Sequence, residues 1–284
     1  MTTTSIPTLA GRTLLISGGS RGIGLAIAVR AARDGANVAL LAKTAEPHPR
    51  LPGTVFTAAA EIEAVQLQAA GGAALPIVGD VRDDATVEAA VAATVERFGG
   101  IDIVVNNASA INLSKTPDLA MKQYDLMQDI NCRGSFLLTK TALPHLLASQ
   151  NPHVLTLSPP LSLKPHWVGE HVGYTIAKYG MSLTTLGFAH EFAAQGVAVN
   201  SLWPRTLIAT AAVRNLLGDG VLHSRTAEIM SDAAHAVLTR PSRECTGNFF
   251  IDEDVLREAG VTDFAKYLSE GATEESLQED FYLD

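Results

Sequence analysis

Residues 17–24 read SGGSRGIG, and the organisation of the whole chain turns on them. They stand between an apolar, β-rich run, TLLIS (13–17), and a helical stretch, LAIAVRAARDG (25–35), that closes on Gly35. The glycines are spaced Gly18-x-x-x-Gly22-x-Gly24, with Ser20, Arg21 and Ile23 among them. A tight turn at Gly18 and a helix beginning near Gly22 would present backbone N–H groups to a pyrophosphate. The positive end of the helix dipole favours an anion at that place. A strand–glycine loop–helix unit at the head of an alternating chain points to a bound dinucleotide.

The alternation continues outward from this loop. NVALLA (37–42), ALPIVGDV (74–81), IDIVVNNAS (101–109), HVLTLS (153–158), VAVNSLW (197–203) and NFFID (248–252) read as further strands. Helical stretches at 57–70, 84–98, 119–149 and 174–195 fill the gaps. Continuous apolar strands between helices predict a parallel sheet covered on both faces. With right-handed crossovers this is an α/β fold, a doubly wound Rossmann-type sheet of about seven strands. The irregular stretches are KTAEPHPRLPGTVF (43–56), rich in proline and glycine, and 204–247, which holds another apolar helix.

The 284 residues suit one domain, with a core at 10–252, a lid region at about 205–245 and a C-terminal extension at 253–284. The polar run SEGATEESLQED (269–280) is expected to be loosely held. A net charge of −9 without a basic run argues against nucleic acid and anionic membrane. Cys132 and Cys245 make no disulfide framework, and no signal or spanning segment is read, so a soluble cytoplasmic protein is expected.

The end of the second strand speaks to the dinucleotide. Sheets that bind NAD usually place an acid there. This chain has Ala42 and then Lys43, with Arg21 in the glycine loop. Two cations and no carboxylate suit a 2′-phosphate, so NADP(H) is expected over NAD(H). The alternative is that both cations are merely solvated.

YTIAKYG (174–180) sets Tyr174 and Lys178 at i and i+4, on one helix face. A cation near the phenol would lower its pKa and let it exchange a proton with an alkoxide or alcohol. Lys178 would also hold the nicotinamide ribose. Such a pair alone is common, and a solvated helix pair is the plain alternative.

With SGGSRGIG, NNAS, DINCRGSF, YTIAK and VNSLWP in this order and spacing, residues 10–252 resemble the short-chain dehydrogenase/reductase family. SPPLSLKP, LWPRTLIATAA and TGNFFIDED resemble the catalytic domain of its hydroxysteroid dehydrogenase-like subgroup, whose animal members carry a C-terminal sterol-carrier domain. The chain stops before such a domain. The resemblance implies that Asp80, with Val81 beside it, meets the adenine edge and that Asn107 lies on the adenosine side. It implies that Asn131 holds a water linking Lys178 to solvent; an asparagine capping or kinking the long helix is the plain alternative. It places the Ile208 backbone and Thr210 near the nicotinamide carboxamide.

The resemblance also implies two adjacent serines after the fifth strand, the second polarising the substrate carbonyl. Here Ser158 takes the first place and Pro159 the second. Ser158 shifted into the site, Ser162, or no serine at all are the three readings. His166 and His171 flank Trp167 at a spacing poor for a metal, so no metal is expected. The leading expectation is an NADP(H)-dependent oxidoreductase interconverting a carbonyl and an alcohol on a small, lipid-like or steroid-like molecule. An enoyl-thioester C=C reductase using Lys164 or Arg205, and a non-catalytic NADP(H)-binding regulator, are the alternatives. A homodimer or homotetramer paired through 119–149 and 174–195 is implied by the resemblance.

Overall fold

The computed structural model describes residues 8–48, 51–69 and 71–283. Seven parallel strands form one sheet in the order β3-β2-β1-β4-β5-β6-β7. They are β1 Thr13–Ser17, β2 Asn37–Ala42, β3 Ala74–Val78, β4 Ile103–Asn106, β5 His153–Thr156, β6 Ala198–Trp203 and β7 Phe249–Ile251. The helices are α1 Gly22–Arg33, α2 Val55–Ala69, α3 Asp84–Phe98, α4 Met121–Met127, α5 Gly134–Leu146, α6 Pro165–Glu170, α7 Val172–Glu191, α8 Ala211–Leu217, α9 Glu228–Leu238 and α10 Asp252–Glu258.

The central strands are largely apolar because both their faces are buried, and their polar residues, such as Thr13, Ser17, Asn106, Thr156 and Ser201, are buried with them. Leu14 and Ile16 of β1 face a core built with Ile27 and Ala28 of α1, Ile62 of α2 and Met230 of α9. Leu15 faces the opposite core, with Ala90 of α3, Leu138 of α5 and Phe188 of α7. Pro76 lies in β3, which is an edge strand and tolerates the missing N–H. The strand order reverses between β1 and β4, and this switch point opens a crevice at the carboxyl ends of the strands.

The single helix expected over 119–149 is interrupted. A π-helical turn, Gln128–Arg133, separates α4 from α5. Asn131 is fully buried there and spends its carboxamide on one residue: Oδ1 accepts from the Ala110 N–H (2.7 Å) and Nδ2 donates to the Ala110 carbonyl (3.0 Å). Gly180 lets α7 cross this turn closely, since a Cβ on it would lie 2.6 Å from Cys132 Sγ. A π turn inserted in an α-helix often marks a functional region.

The expected looseness of 269–280 is also overturned. The Leu207 N–H donates to the Gln278 carbonyl (2.9 Å), and the Gln278 N–H donates to the His223 carbonyl (2.9 Å). Thr206 and Glu279 form an antiparallel bridge. Tyr282, just beyond, is buried with Met127, Tyr174, Ala177 and Trp203 in a third apolar cluster. Backbone pairing holds this segment, so its acidic side chains are no guide to its order.

Candidate active site

The crevice holds a cavity of ≈ 590 Å³ that runs from the glycine loop to Tyr174 and Lys178. Gly18 and Gly22 adopt the left-handed conformation, with φ of 68° and 56°. Asn107 staples the loop to β4: its Nδ2 donates to the carbonyls of Ser17 and Gly18, both at 3.0 Å. Gly24 packs against that staple. A Cβ on it would lie 2.4 Å from Asn107 Nδ2 and 2.7 Å from the Gly18 oxygen, so something must move. Gly24→Ala is therefore expected to displace the loop and weaken dinucleotide binding by about tenfold or more. A fluorescence titration with NADPH, on protein whose melting shows it folded, checks this.

The loop fits a dinucleotide. Arg21 at the N-cap of α1 makes no side-chain cap, and the first turn carries no acid, so the N-terminal N–H groups are left for an anion. Ser20, Arg21, Ile23, Lys43, Asp80, Val81, Asn107, Ile208 and Thr210 line the cavity. Arg21 donates from its terminal nitrogen to the Gly53 carbonyl (3.1 Å), while its Nε is buried without a partner. Asp80 accepts from Arg82 on both oxygens (3.0 and 2.7 Å), with Lys43 Nζ at 3.6 Å. Its hydrogen bonds to Arg82 are the largest influence holding its carboxyl below the ordinary range. Lys43 remains mostly exposed at the cavity rim.

At the other end, α7 delivers Tyr174 and Lys178, both nearly buried. Lys178 Nζ donates to the Leu157 carbonyl (2.9 Å) and lies 5.2 Å from the centre of the Trp203 ring. Burial pushes its pKa down to about 8. Burial, helped by Tyr282 and Asp280, raises Tyr174 well above the ordinary value. This is the opposite of the depression that a lysine one turn away predicts. A phenol so raised stays protonated at neutral pH.

The structure does not bring the expected serine to the cavity. Ser158 is fully buried, its hydroxyl 2.8 Å from Ser201 Oγ, which donates on to Thr185 Oγ1 at 2.8 Å. The tight turn after β5, closed by the Ser158 N–H on the Thr156 carbonyl, points that side chain into the interior. Pro159 offers no hydroxyl, and Ser162 does not line the cavity. Asn131 likewise stays outside it, tied to Ala110. Arg205 is spent on Asp254, at 2.7 and 2.6 Å, and Lys164 is not in the lining. His166, Trp167 and His171 form aromatic contacts, with Trp167 against Tyr282 and His171 against Phe281. No group of three metal-ligating side chains occurs among the described residues.

Sequence reasoning missed Trp203, Leu157, Ser109, Asp280 and Phe281, all of which line the cavity. The signal for the last two was the aromatic pair Phe281-Tyr282 closing a polar run, an apolar anchor with no helix to explain it.

The sequence profile of the short chain dehydrogenase family matches residues 12–219. Hydroxysteroid dehydrogenase-like protein 2 of Danio rerio is 56% identical over 277 residues, which are 97% of this chain and 65% of that relative. The human protein of the same name is 50% identical over 97% of this chain and 64% of its own length. The chain thus spans a little under two thirds of these curated relatives. A solved short chain dehydrogenase of Mycobacterium thermoresistibile superposes with a TM-score of 0.90 at 54% identity, covering 98% of this chain and 96% of that one.

Proposed function

Because the chain belongs to the short chain dehydrogenase family, we propose that it is an NADP(H)-dependent oxidoreductase interconverting a carbonyl and an alcohol, with Tyr174 handling the proton. The observation that carries this reading is one cavity joining an uncapped helix N-terminus to a buried Tyr174–Lys178 pair. A bound nicotinamide would supply or accept the hydride. The chain's own residues do the rest. The α1 N-terminus and glycine loop hold the pyrophosphate. Lys178, fixed by the Leu157 carbonyl, orients the ribose. Tyr174, kept protonated by burial, donates its proton to the oxygen that becomes the alcohol. Ile111, Leu113, Leu207, Val213 and Leu216 supply an apolar wall that suits a lipid-like or steroid-like substrate.

Lys43 and Arg21 support NADPH over NADH. A charge-assisted hydrogen bond contributes roughly 1.5–3 kcal/mol, so binding of NADPH is expected to be about tenfold tighter or more. Lys43→Asp should erase or invert the preference. Equal affinities in the wild type, unmoved by that change, would refute it. A panel of uncharged ketones and aldehydes with NADPH tests the oxidoreductase reading itself. The alternative of a non-catalytic NADP(H)-binding regulator draws on the buried Ser158, and tight NADPH binding with no turnover would favour it. The C=C reductase alternative loses support because neither Lys164 nor the Arg205 guanidinium is available to the cavity.

Exposed Phe136 on α5 and Ile176, Leu183 and Leu186 on α7 support pairing of subunits through these helices, as a homodimer or homotetramer. No helix among the described residues is long and apolar enough to cross a membrane. A cytoplasmic location is proposed with it.

A further inference from the structure

The catalytic end of the cavity lacks the hydroxyl that a loop after β5 would provide. Ser158 is locked onto Ser201, and the next residue is Pro159. A different polar group reaches the same end from the far side of the chain. Segment 278–283 runs beside the β6 loop and is fixed at each step. The Asp280 N–H donates to the Arg205 carbonyl (3.0 Å), and Trp203 Nε1 donates to the Phe281 carbonyl (2.9 Å). The Tyr282 hydroxyl lies 3.0 Å from Thr175 Oγ1. Tyr282 adopts φ 70°, alone among the described non-glycine residues. That conformation costs roughly 1–2 kcal/mol for an L-residue, so the surrounding contacts must hold it.

These anchors set Asp280 on the cavity wall with Tyr174, Lys178 and Phe281. Its Oδ1 accepts from the Phe281 N–H (2.7 Å), and Oδ2 has no protein partner among the described residues. The groups facing it are Lys178 and Tyr174 from α7, Asp252 at the start of α10, and Tyr282 of its own segment. No guanidinium among the described residues pairs with it: Arg205 holds Asp254, and Arg225 holds Glu253 and Glu274. Burial is the chief influence, and Asp252 adds to it. Against the pull of the Phe281 N–H and Lys178, the carboxyl is pushed up to about 7. At a pKa of about 7 the carboxyl holds its proton in about half of the molecules at pH 7 and in most of them in mild acid, and in that form it donates a hydrogen bond as a hydroxyl does.

Resting on the carbonyl–alcohol reading above, we propose that Asp280 donates the second hydrogen bond to the oxygen of an uncharged carbonyl substrate, in place of a serine from the β5 loop. Tyr174 transfers its proton to that oxygen, while Asp280 keeps its own and polarises the bond. Carbonyl compounds carrying a carboxylate beside the reacting carbon are disfavoured, since they would meet Asp280 or force it to ionise.

The test compares wild type with Asp280→Asn, which keeps a donor, and Asp280→Leu, which keeps the shape without one. The probe is whichever ketone or aldehyde in an uncharged panel the wild type reduces fastest with NADPH. Asp280→Leu is expected to lower kcat by about 100-fold with KM little changed, and Asp280→Asn by less than about tenfold. Wild-type kcat should fall as pH rises through the neutral range, as the carboxyl loses its proton, and this limb should vanish in Asp280→Asn. Carbon-13 NMR of the cofactor-free protein gives a readout independent of turnover: a side-chain carboxyl titrating near pH 7 that Asp280→Asn removes. Undiminished turnover in Asp280→Leu, a pH limb kept by Asp280→Asn, or a carboxyl titrating near pH 4 overturns the inference. Should Asp280→Leu not fold, the pH profile and the NMR titration decide. Turnover lost in Tyr174→Phe but kept in Asp280→Leu sinks this inference alone. No turnover of the wild type on any carbonyl sinks the oxidoreductase reading as well.

Discussion

Tyr174→Phe is expected to lower carbonyl turnover by about 10²–10⁴-fold while leaving NADPH affinity within a few-fold. The substitution removes one oxygen and keeps the ring. That ring packs with Met127, Ala177, Trp203 and Tyr282, so the apolar cluster survives and the melting temperature should stay close to that of the wild type. The glycine loop and the N-terminus of α1 lie at the other end of the cavity, so the proposed pyrophosphate site is untouched. A lost rate with intact binding therefore isolates proton donation to the substrate oxygen. Stopped-flow turnover and a parallel fluorescence titration separate the two quantities. If the variant keeps its rate, the proton comes from another group of the cavity and the assignment of Tyr174 fails.

The strands were legible in the sequence because both their faces are buried. Runs such as TLLIS and NVALLA have no polar alternation to blur them, and their bounds match β1 and β2. The glycine loop was legible for a similar reason: Gly18 needs a positive φ and Gly24 has no room for a Cβ, so residue type reports geometry directly. Where sequence reading stopped, the cause was an interaction with no local signature. The π turn at Gln128–Arg133 is a slip in hydrogen-bond register that the composition of α4 and α5 does not encode. The fate of Ser158 depends on Ser201 and Thr185, brought to it by β6 and α7. Segment 278–283 is held chiefly through its backbone, while its side chains Glu279 and Asp280 read as solvated charge. The candidate site was thus half visible: the glycine loop and the Tyr174–Lys178 pair came from local motifs, while Asp280 and Phe281 came from the far end of the chain.

Arg225→Ala is expected to destabilise the fold by about 3–5 kcal/mol, the cost of stripping one partner from a buried ion pair. Arg225 is only 3% exposed and joins four parts of the chain. One terminal nitrogen donates to Glu253 at the start of α10, and the other lies 3.2 Å from Glu274. Its guanidinium stands 5.4 Å from the centre of the Phe264 ring. Its backbone exchanges hydrogen bonds with the cavity loop, through the Leu207 carbonyl (2.9 Å) and the Ala209 N–H (2.8 Å). Burial would push the Glu253 carboxyl up, but Arg257 and Arg225 outweigh it and hold the pKa below its ordinary value. A depressed carboxylate stabilises the fold above its unfolded pKa of about 4.3, and that contribution is lost as pH falls through the lower folded value. The penalty of Arg225→Ala should accordingly be full at pH 7 and shrink in acid. Removing both charges, as Arg225→Met with Glu253→Leu, should cost less than Arg225→Ala alone, because Glu253 Oε2 is then not left buried without the guanidinium that faced it, Arg257 holding only Oε1. Chemical melts at pH 7 and pH 3.5 on the three proteins check each step. A single variant that melts like wild type at pH 7 would show that the pair carries no net stability.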